Sequence, residues 1–470
     1  ATPAGEPKPF DEVVKEAEKI PGLFTFYRTK KNEVFLEVTP EMLERPYMLE
    51  VTTASGLGGR QGGVTVGDPL LDVVFRLKRV REQLFLTVQQ TNFRAKQDDP
   101  IARSITRSFG DSVLAAFKVD SQPHPERKSF LVNAGPFFLQ DLGTIAQELT
   151  QRLKTPFALD AGKSYIDLVK SFPENSEVEV SCNFVTPKAA SVDTLADGRS
   201  AQVRVRYSLL GLKETGYQPR LYDPRVGYFV TAFRDLTDDD PKEEYTQYIN
   251  RWDLEKADPT AALSVPKKPI VFWLDDAVPV RYRKAVTEGL QMWNRAFERV
   301  GLKDAVQVKQ MEPGMDIDPF DVRYNTLRWA TSPGDGYAVA LARSNPLTGE
   351  IMNASIRVDA SIVGLTKQSF RLEDDLKGFD GTAPRPDGHS AIRCSFAKEA
   401  VRDAAFGLEA LELMAPGDGL TAAERERFVT EYIREVVAHE MGHILGLRHN
   451  FKASTMLGVN ELNDMALTDR

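Results

Sequence analysis

Cysteine is almost absent from this sequence, which contains only Cys182 and Cys394 among 470 residues. Two cysteines so far apart exclude a disulfide-rich scaffold, although their positions leave open whether they pair with each other. No segment approaches 18 consecutive apolar residues, which excludes a transmembrane helix. The net charge of −8 gives no support for nucleic-acid binding. The length predicts two or three domains, and the apolar content is ordinary for globular proteins.

Histidine is also rare, with five in the chain, yet three of the five lie between positions 439 and 449. His439 and His443 are four residues apart, so in a helix they lie one turn apart on the same face. Two neutral imidazoles arranged in this way can bind one metal ion at about 2.0–2.1 Å. The spacing therefore predicts a metal site on a helix.

The residues around this pair complete the pattern H-E-x-x-H-x-x-G-x-x-H. Glu440 follows the first histidine, where it can act as general base towards a water molecule. Gly446 tolerates a positive φ, which allows the helix to end and the chain to turn back. That turn would bring His449 to the metal as third ligand and leave one position open. An open position is typical of a catalytic zinc site rather than a structural one.

The run H-E-M-G-H-I-L-G-L-R-H-N resembles the metzincin clan of zinc endopeptidases, and in particular its matrixin-like members. The following H-N-F-K-A-S is similar to a large family of secreted bacterial zinc-dependent metalloproteases, in which a long N-terminal region precedes the protease. The resemblance implies one catalytic Zn²⁺ bound by His439, His443 and His449, with Glu440 as general base. It also implies a secreted, periplasmic or cell-surface location. The polar, Pro-rich residues 1–9 are not a signal peptide and fit either a mature or a trimmed chain.

The sequence departs from the metzincin pattern after His449. Metzincins carry a methionine-containing turn beneath the zinc, the Met-turn, and neither Met456 nor Met465 lies in a matching context. We therefore expect the chain to end before the Met-turn, at a trypsin-like cleavage site after Arg470. The missing segment, with the residue that stabilises the oxyanion, would be lost, deleted or bound as a separate chain.

The first half of the chain has the alternating pattern of strands separated by turns. Strands are expected at 33–39, 47–53, 71–80, 83–90, 112–119, 129–133, 177–184 and 202–210. Helices are expected at 10–21, where Pro21 ends the helix, and at 142–153. The pattern predicts a β-rich N-terminal region over 1–235, with a prodomain-like or binding role. An acidic and Pro-rich connection follows at 236–268.

From residue 269 the order strand, helix, strand, strand resembles the upper half of a metzincin domain. Strands are expected at 270–274, 306–311 and 322–329, with a helix whose apolar stripe runs from Val286 to Val300 and stops at Gly301. Another helix is expected at 398–413, and a capping box of Thr421 and Glu424 begins the helix that carries the motif. We expect an α+β fold, with a metzincin-like peptidase domain over 269–470 that is incomplete at its C-terminus.

The segment 349–358 resembles the metzincin edge strand, with which an extended substrate peptide pairs through main-chain hydrogen bonds. The expected substrate-binding residues are Ile351, Met352, Asn353, Ala354 and Ser355. An ordinary strand is compatible with the same pattern.

Several other features have a plain structural interpretation beside a functional one. The glycine-rich segment 56–63 lacks the ending of a phosphate-binding loop and is expected to be flexible. His124 and His389 are expected in exposed loops, although a role for His389 at the metal stays open. The segment 223–229 is interpreted as a turn entering a strand, or as a latency segment that places Asp223 near the zinc. Each cysteine is interpreted as a small buried apolar residue or as a latency thiolate.

These patterns together predict a zinc-dependent endopeptidase that hydrolyses peptide bonds by a zinc-activated water, with Glu440 as general base. The alternative is a binding or chaperone-like surface protein with a structural or latent zinc site. A third hypothesis is latency, in which the N-terminal region covers the active-site cleft until it is processed. It predicts that a chain starting near residue 260, with the downstream segment restored, is more active than the full chain.

Overall fold

The structure is a computed structural model. It describes residues 7–57, 64, 66–191, 195–237, 243–330, 338–360, 362–363, 396–415, 419–462 and 464–468. Within these ranges, no helix combines the length and the apolar character needed to cross a membrane.

The chain alternates between β-rich and helical parts. Its strands are β1 (Glu18–Ile20), β2 (Thr25–Arg28), β3 (Val34–Val38), β4 (Tyr47–Thr53), β5 (Pro69–Val80), β6 (Gln83–Val88), β7 (Phe93–Arg94), β8 (Ser112–Lys118), β9 (Phe130–Asn133), β10 (Ala158–Leu159), β11 (Tyr165–Ser171), β12 (Asn175–Val185), β13 (Ser200–Gly211), β14 (Val230–Asp235), β15 (Thr246–Ile249), β16 (Ile270–Leu274), β17 (Val306–Gln310), β18 (Asn325–Ala330), β19 (Ala338–Ser344) and β20 (Ile351–Asp359). Its helices are α1 (Phe10–Val13), α2 (Pro100–Ser108), α3 (Gly135–Phe138), α4 (Ile145–Leu153), α5 (Val280–Gln291), α6 (Asn294–Arg299), α7 (Phe396–Met414), α8 (Ala422–Ile444) and α9 (Met465–Thr468). Short 3-10 turns lie at Pro40–Met42, Ala161–Lys163 and Phe451–Thr455.

Besides a small third sheet with the order β15-β14-β7, two antiparallel sheets form most of the N-terminal region. The larger has the order β10-β12-β13-β4-β5-β6-β8, with β11 also paired to β12, and the smaller has the order β1-β2-β3-β9. Alternate side chains of β13, at Ala201, Val203, Val205 and Tyr207, are buried in a core shared by both sheets. This alternation explains why the period-two pattern predicts strands such as β13, whereas β12 is buried on both faces.

The C-terminal region is built on a five-stranded sheet with the order β17-β16-β18-β20-β19. Neighbouring strands are parallel except for the antiparallel pair of β19 and β20. Helices α5 and α8 pack against each other and share one apolar core with this sheet. The chain is therefore a mixed α+β protein with a β-rich N-terminal region, which confirms the expected fold class.

The position of the expected edge strand is wrong. Strand β20, which contains Ile351, Met352, Asn353, Ala354 and Ser355, lies inside the sheet and pairs with β18 on one side and β19 on the other. Residues Ser355–Asp359 pair with β18, and the backbone N–H groups of Ile351 and Ala354 donate to the carbonyl of Arg251 and the side chain of Asn325, so a substrate peptide has no free side of β20 to join. Among the described strands, the edge of this sheet next to β20 is β19, which comes before β20 in the sequence.

Two other local expectations are corrected. The helix expected over 10–21 is limited to α1, because Glu18–Ile20 pairs with β2 as a strand. His124 is buried, with 8 % of its surface exposed, and not an exposed loop residue. Its Nδ1 accepts hydrogen bonds from the backbone N–H groups of Glu126 and Arg127, so the ring stabilises the turn in which it lies.

Candidate metal centre

Helix α8 carries the motif and is held in place by both its cap and its apolar face. The hydroxyl of Thr421 accepts a hydrogen bond from the backbone of Glu424, whose carboxylate accepts one from the backbone of Thr421. This capping box begins the helix as expected. Buried side chains then recur at helical spacing, at Val429, Tyr432, Ile433, Val436, Val437, Met441 and Ile444.

The structure brings the three histidines of the motif together. One ring nitrogen from each of His439, His443 and His449 lies within 4.8 Å of the others. The Nε2 atom of His449 is 3.2 Å from Nε2 of His439 and 3.2 Å from Nε2 of His443. Three nitrogens bound tetrahedrally to one zinc ion at about 2.0–2.1 Å would lie about 3.3–3.4 Å apart. The spacing of the donor atoms therefore fits zinc.

The tautomer of His443 also fits a metal ligand. Its Nδ1 lies 2.8 Å from the carbonyl oxygen of Leu447, which can only accept, so Nδ1 carries the proton and donates. In the neutral ring this leaves the lone pair on Nε2, the atom that faces His449. A backbone carbonyl that orients a histidine in this way is common at metal sites.

Burial keeps the rings of His439 and His443 neutral. Desolvation, together with the neighbouring His443 and His449 rings, lowers the pKa of His439 to about 4. Desolvation also lowers the pKa of His443. At neutral pH both rings therefore offer lone pairs instead of repelling a cation, as metal binding requires.

The third histidine reaches the cluster through a sharp turn after α8. Gly446 has a φ of 91°, the left-handed value that the sequence predicts for it. A Cβ on this residue would lie 2.0 Å from the carbonyl oxygen of Asn250, so the close approach of another segment also requires glycine. The carbonyl of Gly446 accepts a hydrogen bond from the backbone N–H of Phe229, at 2.8 Å.

Glu440 lies on the buried side of the same helix and has none of its surface exposed. Among the described residues, no side chain donates a hydrogen bond to its carboxylate. Burial raises the pKa of Glu440 to about 7, an effect opposed by the backbone N–H of Ala340 on β19. A carboxylate without a side-chain partner is costly to bury, which favours a functional reason for its position.

Several supporting residues were not found by sequence reasoning. The indole N–H of Trp293 donates to the carbonyl of Ala438, and its ring lies where a Cβ on Gly442 would come within 2.8 Å. The indole N–H of Trp252 donates to the carbonyl of Ile444, at the end of α8. These contacts join distant parts of the chain, so no local sequence pattern predicts them.

The other candidate residues do not join the cluster. Asp223 pairs with Arg225 on the surface and is not part of the group of metal-binding side chains found in the described chain. Cys182 is a free, buried cysteine inside the N-terminal core, which agrees with its interpretation as a small apolar residue. His389 and Cys394 lie outside the described residues.

Comparisons with known protein families match the part of the chain that carries the three histidines. A family model described as Met-zincin matches residues 421–470. Two models described as domains of unknown function match residues 7–56 (DUF5118) and 67–257 (DUF5117). No curated protein and no solved structure matches. The last part of the chain is thus similar to Met-zincins, and its three clustered histidines fit the metzincin pattern H-E-x-x-H-x-x-G-x-x-H.

Proposed function

We propose that this protein is a zinc-dependent endopeptidase that uses Glu440 as general base. The observation that carries the proposal is the convergence of His439, His443 and His449 at the helix that also carries a buried carboxylate without a side-chain partner. Three protein ligands from histidine are the number and kind found in catalytic zinc sites. The similarity of residues 421–470 to Met-zincins supports the same reaction class.

The protein side of the reaction follows from these positions. A zinc ion held by the three histidines would supply Lewis acidity for the scissile carbonyl and for water. Glu440 takes one proton from the attacking water as its oxygen bonds to the carbonyl carbon. Glu440 then gives that proton to the leaving amine as the C–N bond breaks.

Strand β19 is the surface that we propose for the substrate backbone. It is the last strand of its sheet, paired with β20 on one side, and it packs against α8 near Glu440 through Ala340. An extended peptide can add to such an edge through main-chain hydrogen bonds. A peptide added there would run beside the helix that carries the proposed ligands. A secreted or periplasmic location and the division of the chain at 235 and 268 stay predictions.

Cleavage of casein by the zinc-loaded chain tests the proposal, with and without a chelator. Glu440→Ala should lower the rate by about 10²–10⁴-fold while zinc binding is retained, because it removes the proton-transfer group but no ligand. Glu435→Ala is the matched control, since Glu435 is exposed on the same helix. Chelator-sensitive cleavage that survives in Glu440→Ala would overturn the role of Glu440. Zinc binding without any cleavage would instead favour a binding protein with a structural metal.

A further inference from the structure

The turn that carries His449 is held from outside the C-terminal region. The backbone N–H of Phe229 donates to Gly446 at 2.8 Å, and the backbone N–H of Arg448 donates to Gly227 at 3.0 Å. Tyr228 and Leu447 are thereby paired in an antiparallel bridge. The residues on both sides of Leu447 are thus fixed by a segment about 220 residues earlier in the chain.

The same segment contacts the ring of a second proposed ligand. The ring centroids of Phe229 and His443 are 5.8 Å apart, with the planes tilted by 53°. Leu447, whose carbonyl orients His443 through Nδ1, is the residue bridged to Tyr228. Phe229 therefore acts on His443 directly through its ring and indirectly through the Leu447 carbonyl.

Residues 250–252 also support the turn that carries His449. The backbone N–H of Asn250 donates to the carbonyl of Phe229, and the Asn250 carbonyl occupies the space that a side chain on Gly446 would need. The indole of Trp252 donates to the carbonyl of Ile444 at 2.9 Å, which satisfies one of the free carbonyls at the end of α8. The backbone N–H of Arg251 donates to Gly349, and the carbonyl of Arg251 accepts from Ile351. These two hydrogen bonds anchor residues 250–252 to the start of β20.

We infer that Phe229 and Trp252 are positioning residues of the metal centre, and that the segments Gly227–Phe229 and Asn250–Trp252 are built-in parts of it. This inference rests on the proposed zinc site. Hydrogen bonds and packing around metal ligands commonly change metal affinity by 10–100-fold. Both segments precede residue 260, so a chain that starts at residue 260 lacks this support. We therefore expect such a chain to bind zinc more weakly than the full chain, whereas the latency hypothesis expects it to be more active.

The test is zinc affinity of the full chain, measured by competition with a chromophoric chelator, beside the visible spectrum of the Co²⁺-loaded protein. Phe229→Ala should weaken zinc affinity by about 10–100-fold and alter the Co²⁺ absorption, because His443 loses the ring packed against it while the backbone hydrogen bonds to the turn remain. Phe229→Leu, which keeps an apolar contact, should recover part of the affinity. Trp252→Phe keeps an aromatic ring but removes the donor to Ile444, and it should weaken zinc binding even if Phe229→Ala fails to fold.

Phe233→Ala is the matched control, because Phe233 is a more deeply buried phenylalanine of the adjoining strand β14. It packs with Arg94 and Tyr248 instead of the metal turn, so its loss should lower stability and leave zinc affinity and the Co²⁺ spectrum unchanged. Unchanged affinity and spectrum in both Phe229→Ala and Trp252→Phe would overturn the inference. Failure of the unmodified chain to bind zinc or Co²⁺ would refute the proposed metal centre itself.

Discussion

Gly446 meets two separate requirements of the turn that carries His449. Its φ of 91° lies in the left-handed region, which costs residues with a Cβ roughly 1–2 kcal/mol. In addition, a Cβ there would lie 2.0 Å from the backbone oxygen of Asn250, so the turn or the neighbouring segment must move. Gly446→Ala should therefore lower stability by more than the φ cost alone and weaken zinc binding as His449 is displaced.

Gly314→Ala separates the two effects. Gly314 has a similar φ of 89°, but a Cβ there would have no atom within 4 Å. This control should lose about 1 kcal/mol or somewhat more in urea unfolding and keep its zinc affinity. Equal zinc affinities of Gly446→Ala and Gly314→Ala would show that the close approach of Asn250 does not position His449.

Single residues also show where sequence reasoning works and where it stops. His439, His443 and Gly446 were found because their roles follow from spacing along one helix and its end. Phe229 and Trp252 contact the same turn, but they lie about 190–220 residues away and have no fixed spacing from the motif. His124 was misjudged because flanking prolines indicate a loop but not whether its side chain is buried.

At the scale of elements, α5 and α8 make a close contact that holds the motif helix on the sheet. A Cβ on Gly289 of α5 would lie 2.6 Å from the carbonyl oxygen of Arg434 and 3.0 Å from Cβ of Val437. Gly289→Ala should force the helices apart at a cost of about 1–3 kcal/mol, despite the better helix propensity of alanine. The midpoint of urea unfolding measures this loss.

Gly407→Ala is the corresponding substitution in helix α7. A Cβ there would come no closer than 3.7 Å to its nearest neighbour, the Phe428 ring, which is ordinary contact. Without a clash, the higher helix propensity of alanine should leave this variant as stable as the unmodified chain or more stable by up to about 1 kcal/mol. A Gly289→Ala protein as stable as Gly407→Ala would contradict the importance of the close helix contact.

Strand existence and strand order had different outcomes for a physical reason. The strands 47–53, 83–90 and 202–210 were expected nearly at their observed bounds, because each shows its own alternation or apolar run. Strand β19 was not among the expected strands, and its position at the edge outside β20 depends on which strand returns antiparallel to the sheet. That choice is made by tertiary pairing between segments, which no single segment displays.

At the scale of the whole molecule, a buried charged cluster joins the N-terminal sheet to β19. Arg343 of β19 pairs with Glu50 of β4 at 2.5 Å and donates to the hydroxyl of Ser208 on β13. That hydroxyl donates to Glu177 of β12, which also accepts from Asn175. The edge that we propose for substrate is thus tied to the N-terminal region by residues from four strands, and this contact had no signal in the sequence.

This cluster makes stability depend on pH in a definite direction. Burial raises the pKa of Glu177 from 4.5 to about 7, although Arg343 and Arg206 act to lower it. The folded state therefore holds a proton that the unfolded state releases above about pH 4.5, so this contribution to stability falls as pH rises towards 7. The free energy of unfolding should therefore be lower at pH 8 than below pH 4.5 by on the order of 3 kcal/mol from Glu177 alone.

Glu177→Gln should remove this dependence, because the amide stays neutral and keeps partners at Asn175 and Ser208. Compared with the unmodified chain, the variant should unfold at a similar urea concentration at pH 5 and at a higher one at pH 8. Glu174→Gln serves as control, since Glu174 is exposed and pairs with Lys213 at the surface. A stability difference between Glu177→Gln and the unmodified chain that stays constant from pH 5 to pH 8 would mean that Glu177 titrates alike in both states. The N-terminal sheet would then be joined to β19 by an ion pair that is insensitive to pH in this range.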